Sequence, residues 1–243
     1  VDYANPDGET LELSVLRMPA RGDRVGSLVV DPGGPGASGT EYAAAGDYVV
    51  SEAVLDSYDL VGFDPRGVGD SAPVTCGTDA QMDALVDADA TPDTAAEESA
   101  IASMSEEFIR SCTASVPGLL DHMSTADAAR DMDVLRAALG DSELDYLGVS
   151  YGTHLGATYA ALFPDRVGRF VLDGPLPADL SAEEVTLEQG RGFEDALRRF
   201  AEDCVGRADC PLGVNVSADD ALGELSTLLG SLDAAPAPTA DPA

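Results

Sequence analysis

The chain has 243 residues, 44% of them hydrophobic, which leaves room for one α/β domain or for a core with a smaller lid. Its 45 acidic residues face 13 basic ones, all arginine, giving a formal charge of −32 at pH 7. A field that acidic repels nucleic acid and anionic membrane surfaces and excludes both as partners, and no apolar run reaches the eighteen or so residues of a membrane span.

In chain order, TLELSVLRM (10–18) alternates apolar and polar residues as a half-exposed strand does. RVGSLVVDPGGPGASG (24–39) is a buried β run that ends in a glycine-rich loop, and residues 40–57 read as helical at first, then irregular. YDLVGFDPRGVGDS (58–71) is a second strand entering a Gly/Pro loop. Residues 78–114, rich in Ala, Asp and Glu, read as solvated helix with loops. STADAARDMDVLRAALG (124–140) opens on Ser124 or Thr125 as a cap, buries Met132, Leu135 and Leu139, and stops at Gly140. ELDYLGVS (143–150) is a strand, YGTHLGATYAALFP (151–164) a helix, and GRFVLDGPL (168–176) one more strand with its loop.

Strands alternating with helices predict a mainly parallel sheet. The expected division is 1–177 as the N-terminal part of an α/β core and 178–243 as a helical lid, since residues 181–232 contain no strand pattern. DAAPAPTADPA (233–243) is a Pro/Ala tail with no large apolar residue and no way to form a core. With no CxxC pair and only two histidines, no zinc site is expected, and no cofactor motif occurs. An even cysteine count fits two disulfides, Cys76–Cys112 and Cys204–Cys210, and an oxidising compartment; four buried thiols are the alternative. The chain opens at Val1 with no basic-then-apolar leader, so any signal peptide is expected to have been removed or left out.

The chemistry concentrates at Gly148-Val149-Ser150-Tyr151-Gly152, a G-x-S-x-G motif between an apolar strand and a helix. A strand reversing straight into a helix forces the serine into a strained conformation, and a side chain at either flanking glycine would strike a neighbouring element. The hydroxyl of Ser150 then stands above the sheet at a helix N-terminus whose dipole favours developing negative charge. Acyl transfer also needs two N–H donors for the oxygen that becomes negative. Tyr151, just after the serine, is expected to supply one; DPGGPGASG (31–39) is expected to supply the other, from Gly34 first and Gly33 next. The glycines do not suit phosphate, because no G-K-[ST] follows and the spacing is not G-x-G-x-x-G.

Three segments together, DPGGPGASG, YDLVGFDPRGVGDS and GVSYGTHLGATYAALFPDRVGRFVLDG, resemble the tripeptidyl and prolyl aminopeptidase-like branch of the α/β-hydrolases. The resemblance covers most of residues 1–210. It implies an α/β-hydrolase fold with an inserted helical lid, export from the cell, and a serine exopeptidase acting on free N-termini. By position it implies Ser150 as nucleophile and Gly34 and Tyr151 as the oxyanion hole. His154 departs from the pattern, where the family usually has Tyr or a similar residue.

The fold places the triad in the order Ser, acid, His. His154 lies one turn along the helix that Ser150 starts and is carried away from the turn, and His122 lies upstream, so neither is expected to serve as base. Asp173 ends a strand where some α/β-hydrolases hold their acid, although the resembled family places it after a further strand. Asp31 and Asp64 read as structural loop acids. Five strands are present where the fold usually has about eight. The expectation is therefore an N-terminal piece of a processed hydrolase, its Asp and His carried by a bound C-terminal fragment.

An aminopeptidase also needs carboxylates for the substrate's α-amine. Candidates are Glu188 and Glu184, then Glu183 and Glu194, each equally readable as a solvated helix face. Peptidase, carboxylesterase or lipase, and a non-catalytic binder on a hydrolase scaffold all remain open on these residues. Epoxide hydrolases and dehalogenases are disfavoured, since they place Asp at the elbow.

Overall fold

A computed structural model of the chain describes residues 1–177 and 179–235. The chain divides into two compact units, Val1–Ala178 and Asp179–Ala243.

The first unit is built on five strands: β1 (Val15–Met18), β2 (Gly26–Asp31), β3 (Tyr58–Phe63), β4 (Leu144–Val149) and β5 (Val167–Asp173), in the order β1-β3-β2-β4-β5. All pairs are parallel except β1 with β3. Successive side chains of a strand point to opposite faces, and β2 buries both. Val29 joins Val61, Phe63 and Tyr146 on one face, under α6 (Thr125–Leu139) and α7 (Tyr151–Leu162). Val30 joins Leu60 on the other, with Ala43 of α1 (Gly39–Ala44) and Leu55 of α3 (Glu52–Ser57). A short α2 (Gly46–Val49) links α1 to α3, so the stretch expected to become irregular continues as brief helices.

One further stretch departs from the sequence reading, and the acidic stretch after β3 follows it. The strand expected from residue 10 begins at Val15, because just before it the ladder is replaced by loop bonds. Ser14 N–H donates to Ser71 Oγ (2.8 Å) and Ser14 C=O accepts from Asp64 N–H (3.0 Å). The acidic stretch after β3 forms α4 (Asp79–Val86) and α5 (Ala95–Ser115), neither of which contains a buried residue. Capping boxes start both, Thr78 with Gln81 and Thr94 with Glu97, and the Cys76–Cys112 disulfide fastens them. Helix α6 keeps its expected cap, Ser124 Oγ accepting from Asp127 N–H, and its left-handed Gly140 stop.

The second unit holds α8 (Ala182–Val205) and α9 (Ala218–Ala234). Ala201, Cys204 and Ala221 are buried, Arg198 pairs with Asp219 at 2.7 Å, and the Cys204–Cys210 disulfide closes the turn after α8. Most of the Pro/Ala tail, 236–243, lies outside the described residues. Among the described residues no helix is long and apolar enough to cross a membrane.

Candidate active site

Strand β4 runs into α7 through one residue, Ser150, whose φ of 54° and ψ of −121° are strained for a side chain with a Cβ. Its neighbours hold it there. Ser150 N–H donates to Asp173 C=O (2.8 Å), and Ser150 C=O accepts from Thr153 N–H (2.9 Å) and Thr153 Oγ1–H (2.6 Å). Thr153 Oγ1 in turn accepts from Leu176 N–H (3.0 Å), so the chain leaving β5 is tied to the same turn. The Ser150 side chain is exposed and caps nothing, which leaves its hydroxyl available.

The flanking glycines are required by space. A Cβ at Gly148 would lie 2.4 Å from Gly152 C=O, and one at Gly152 would lie 2.8 Å from both the carbonyl and the Oδ1 of Asp31. Helix and strands therefore meet backbone to backbone around the serine. Tyr146, buried within β4, donates its hydroxyl to Gly152 C=O (2.8 Å), and Tyr151 Oη shares a 2.8 Å hydrogen bond with Thr125 Oγ1 of α6. Tyr146 and Thr153 were not singled out from sequence. Tyr146 could have been found as an inward position of an alternating strand that carries a polar tip; Thr153 leaves no comparable signal.

The Asp31–Gly39 loop leaves β2 beside this turn, Asp31 pairing with Gly148 across the two strands. Gly33, at φ 90°, sits so tightly on the elbow that a Cβ there would meet Val149 C=O at 2.4 Å and Tyr151 N at 2.8 Å. Gly33 N–H donates to Asp31 Oδ1 (2.8 Å). The N–H groups of Gly34 and Tyr151 make no hydrogen bond among the described residues, so both donors are uncommitted, one in the loop whose Gly33 rests on the elbow and one at the start of α7. The loop is anchored beyond the glycines by Asp64, which accepts from Ser38 Oγ–H (2.7 Å), Thr40 Oγ1–H (3.0 Å) and Asp70 N–H (3.1 Å); these bonds hold its carboxyl below the usual range against the opposing effect of burial. Asp31 is buried, and the loss of water pushes its carboxyl up to about 6, opposed by the Gly33 N–H.

Neither histidine is bonded to the serine among the described residues. His154 lies on α7 with its ring 6.0 Å from that of Tyr151, and His122 lies beside Asp2, Nδ1 to Oδ1 4.0 Å. Asp173 is exposed at the end of β5 and approaches the elbow through its carbonyl. Its charge and that of Asp31 both reach Tyr42 of α1, whose phenol burial first, then these charges, push up. No group of three or more His, Cys, Asp or Glu side chains among the described residues could hold a metal ion.

The candidate amine-binding glutamates belong to the second unit, on α8. Glu184 Oε2 accepts from Ser181 N–H and Ser181 Oγ–H, both at 2.8 Å, as the far half of a capping box. Glu188 is exposed and paired with Arg191. Both are thus engaged locally on a solvated face.

A strand–serine–helix elbow with a glycine loop folded over it on a mostly parallel sheet defines a hydrolase class, and comparison with known proteins agrees. The profile described as alpha/beta hydrolase fold matches residues 26–218, and the chain belongs to that family. Serine protease Hip1 of Mycobacterium tuberculosis (strain ATCC 25618 / H37Rv) is 44% identical over 218 residues, covering 88% of this chain and 42% of that protein. Tripeptidyl aminopeptidase of Streptomyces lividans is 41% identical over 201 residues, covering 80% and 37%. Carboxylesterase B of M. tuberculosis (strain ATCC 25618 / H37Rv) is 38% identical over 245 residues, covering 100% and 47%. The chain spans less than half the length of these curated relatives.

Proposed function

We propose that this chain is the nucleophile-bearing part of a secreted serine exopeptidase that removes short peptides or single residues from free N-termini. The observation that carries the reading is the strained, exposed Ser150 at the elbow, with the N–H groups of Tyr151 and Gly34 making no hydrogen bond among the described residues. In the reaction Ser150 Oγ attacks the scissile carbonyl carbon. The two N–H groups hold the oxygen as it becomes negative, the amine departs, and water releases the acyl group from the serine. The 44% and 41% identities to a serine protease and a tripeptidyl aminopeptidase support the peptidase over other acyl transfers.

The base and the orienting acid are proposed to come from C-terminal polypeptide outside the 243 residues, pairing with β5. Two observations support this: neither histidine is hydrogen-bonded to Ser150 among the described residues, and β5 exposes Val171 (59%) and Leu172 (38%) at the edge of the sheet. A denaturing gel with intact mass separates the arrangements, two bands meaning a processed partner chain and one band a continuous chain. The α8–α9 unit is proposed as the beginning of a lid, and the two disulfides support export.

Ester hydrolysis is the second reading, favoured by the 38% identity to a carboxylesterase over the whole chain. The assay that decides offers the complete protein tripeptidyl- and aminoacyl-nitroanilides beside nitrophenyl esters. Turnover of anilides with a free amine, lost on amine acetylation, is the expected result. Ester turnover with no activity on those anilides would overturn the peptidase reading.

A further inference from the structure

Asp31 is a buried carboxylate that no cation among the described residues approaches. The groups whose charge it influences are three phenols, Tyr42 of α1, Tyr146 of β4 and Tyr151 of α7, and no Arg acts on it among the described residues. Keeping an ionisable group there works against the fold, because burial without a partner disfavours the charge. What the carboxylate does make is one buried hydrogen bond, Oδ1 accepting the Gly33 N–H at 2.8 Å. The same oxygen would lie 2.8 Å from a Cβ at Gly152, in the first turn of α7, and Asp31 itself pairs with Gly148. One side chain thus lies between the glycine loop and the elbow. The Gly33 N–H that it engages is one peptide away from the Gly34 N–H.

We infer that Asp31 is the positioning residue of the oxyanion hole. By accepting the Gly33 N–H, its carboxylate fixes the Pro32–Gly33 peptide and, through the φ of 90° held at Gly33, orients the next peptide so that the Gly34 N–H is aimed at the developing oxyanion and not back into the loop. A donor held in place before reaction stabilises the transition state more than one that must be ordered during it. The required feature is the acceptor oxygen; the charge is dispensable. The inference rests on the serine hydrolase reading above.

The test uses the complete protein carrying Asp31→Asn or Asp31→Leu, two replacements of similar shape of which only the first keeps an acceptor. Steady-state kinetics on the best nitroanilide or ester are read as kcat and KM separately, per mole of folded protein. Asp31→Leu is expected to lose kcat by about ten- to a hundredfold with KM within about twofold, the pattern of an interaction made only in the transition state. Asp31→Asn is expected to keep kcat within about threefold of wild type, a rescue that a purely packing role does not produce. If Asp31→Leu does not fold, Asp31→Val, smaller and also without an acceptor, carries the same expectation. An acceptor-free variant with wild-type kcat overturns the inference, as does an asparagine variant as slow as the leucine one. A wild-type protein that neither turns over substrate nor reacts at Ser150 with a fluorophosphonate overturns the hydrolase reading and the inference with it.

Discussion

The two neighbours of β4 make a telling contrast. On the β2 side nearly every gap is closed: Gly33 touches the elbow backbone, Asp31 is buried against Gly152, and the loop beyond is fixed by the Ser38 and Thr40 hydroxyls converging on Asp64. On the β5 side the strand end and the chain leaving it are tied to the elbow by the Ser150–Asp173 and Thr153–Leu176 bonds, and the strand leaves apolar side chains in solvent. The opposite edge of the sheet looks finished by comparison. Strand β1 is four residues long, antiparallel, and carries Arg17 paired with Asp59, all features that discourage further pairing. The difference separates the two tasks of acyl transfer. The half that would stabilise the oxyanion is proposed to lie in this chain, at the Gly34 and Tyr151 N–H groups; the half that moves protons is proposed to join along β5.

The contrast can be broken first at its centre. Ser150→Ala in the complete protein is expected to lower kcat by at least ~10³-fold and to abolish fluorophosphonate labelling, while melting close to wild type, since the strained φ of 54° is no better suited to Ala than to Ser. Residual labelling on another serine would move the nucleophile elsewhere.

The β2 side should be the less tolerant flank. Gly33→Ala introduces a Cβ against backbone atoms of β4 and α7 at a φ of 90°, so it is expected to cost more than ~4 kcal/mol, read by denaturant melts, or to leave little folded protein. A well-folded, active Gly33→Ala protein would show that the loop does not sit on the elbow as described.

Next in size is a pH effect at the same flank. The Asp31 carboxyl rises from 3.8 to about 6 on folding, so the folded protein binds this proton more tightly than the unfolded one. The stabilisation from that proton is fully present below pH 3.8 and is lost as the pH rises through about 6. Two units correspond to at most ~3 kcal/mol. Asp31→Asn, which keeps the acceptor without the charge, is therefore expected to be more stable than wild type at pH 8, with the advantage vanishing near pH 4. Chemical melts at the two pH values check this, and equal differences at both would contradict the burial.

The smallest effect is expected on the open flank. Val171→Asp should change the stability of residues 1–243 alone by less than ~0.5 kcal/mol, because the side chain is already exposed. In the complete protein it should destabilise by ~2 kcal/mol or more, through a buried and unpaired charge. Equal, small effects in both proteins would mean that nothing packs on Val171.

What was legible in the sequence follows the same division. The strands of the core announced themselves because parallel strands buried on both faces read as short apolar runs, as in SLVVD and YDLVGF. The elbow was legible because its glycines are demanded by backbone contacts one residue away on either side of V-S-Y. Strand β1 was read too long because alternation persists through residues 10–14, where side-chain and loop bonds to Ser71 and Asp64 replace the ladder. Asp31 was read only as a structural loop acid, since nothing in DPGG distinguishes a carboxylate that caps its own loop from one that also braces the neighbouring turn. Glu184 and Glu188 show the limit at surfaces. An S-x-x-E capping box at Ser181 was present in the letters, and it already assigns Glu184 a local partner. In a chain with 45 acids, position alone could not mark either residue as a ligand.

The most direct measurement compares nitroanilide hydrolysis by residues 1–243, purified alone and shown to be folded by circular dichroism, with hydrolysis by the protein that also contains the C-terminal segment. Negligible turnover by the first and full turnover by the second, lost with Ser150→Ala, is the expected result. Full-rate hydrolysis through Ser150 by residues 1–243 alone would contradict it, because the proton-moving half of the site would then already be present in this chain.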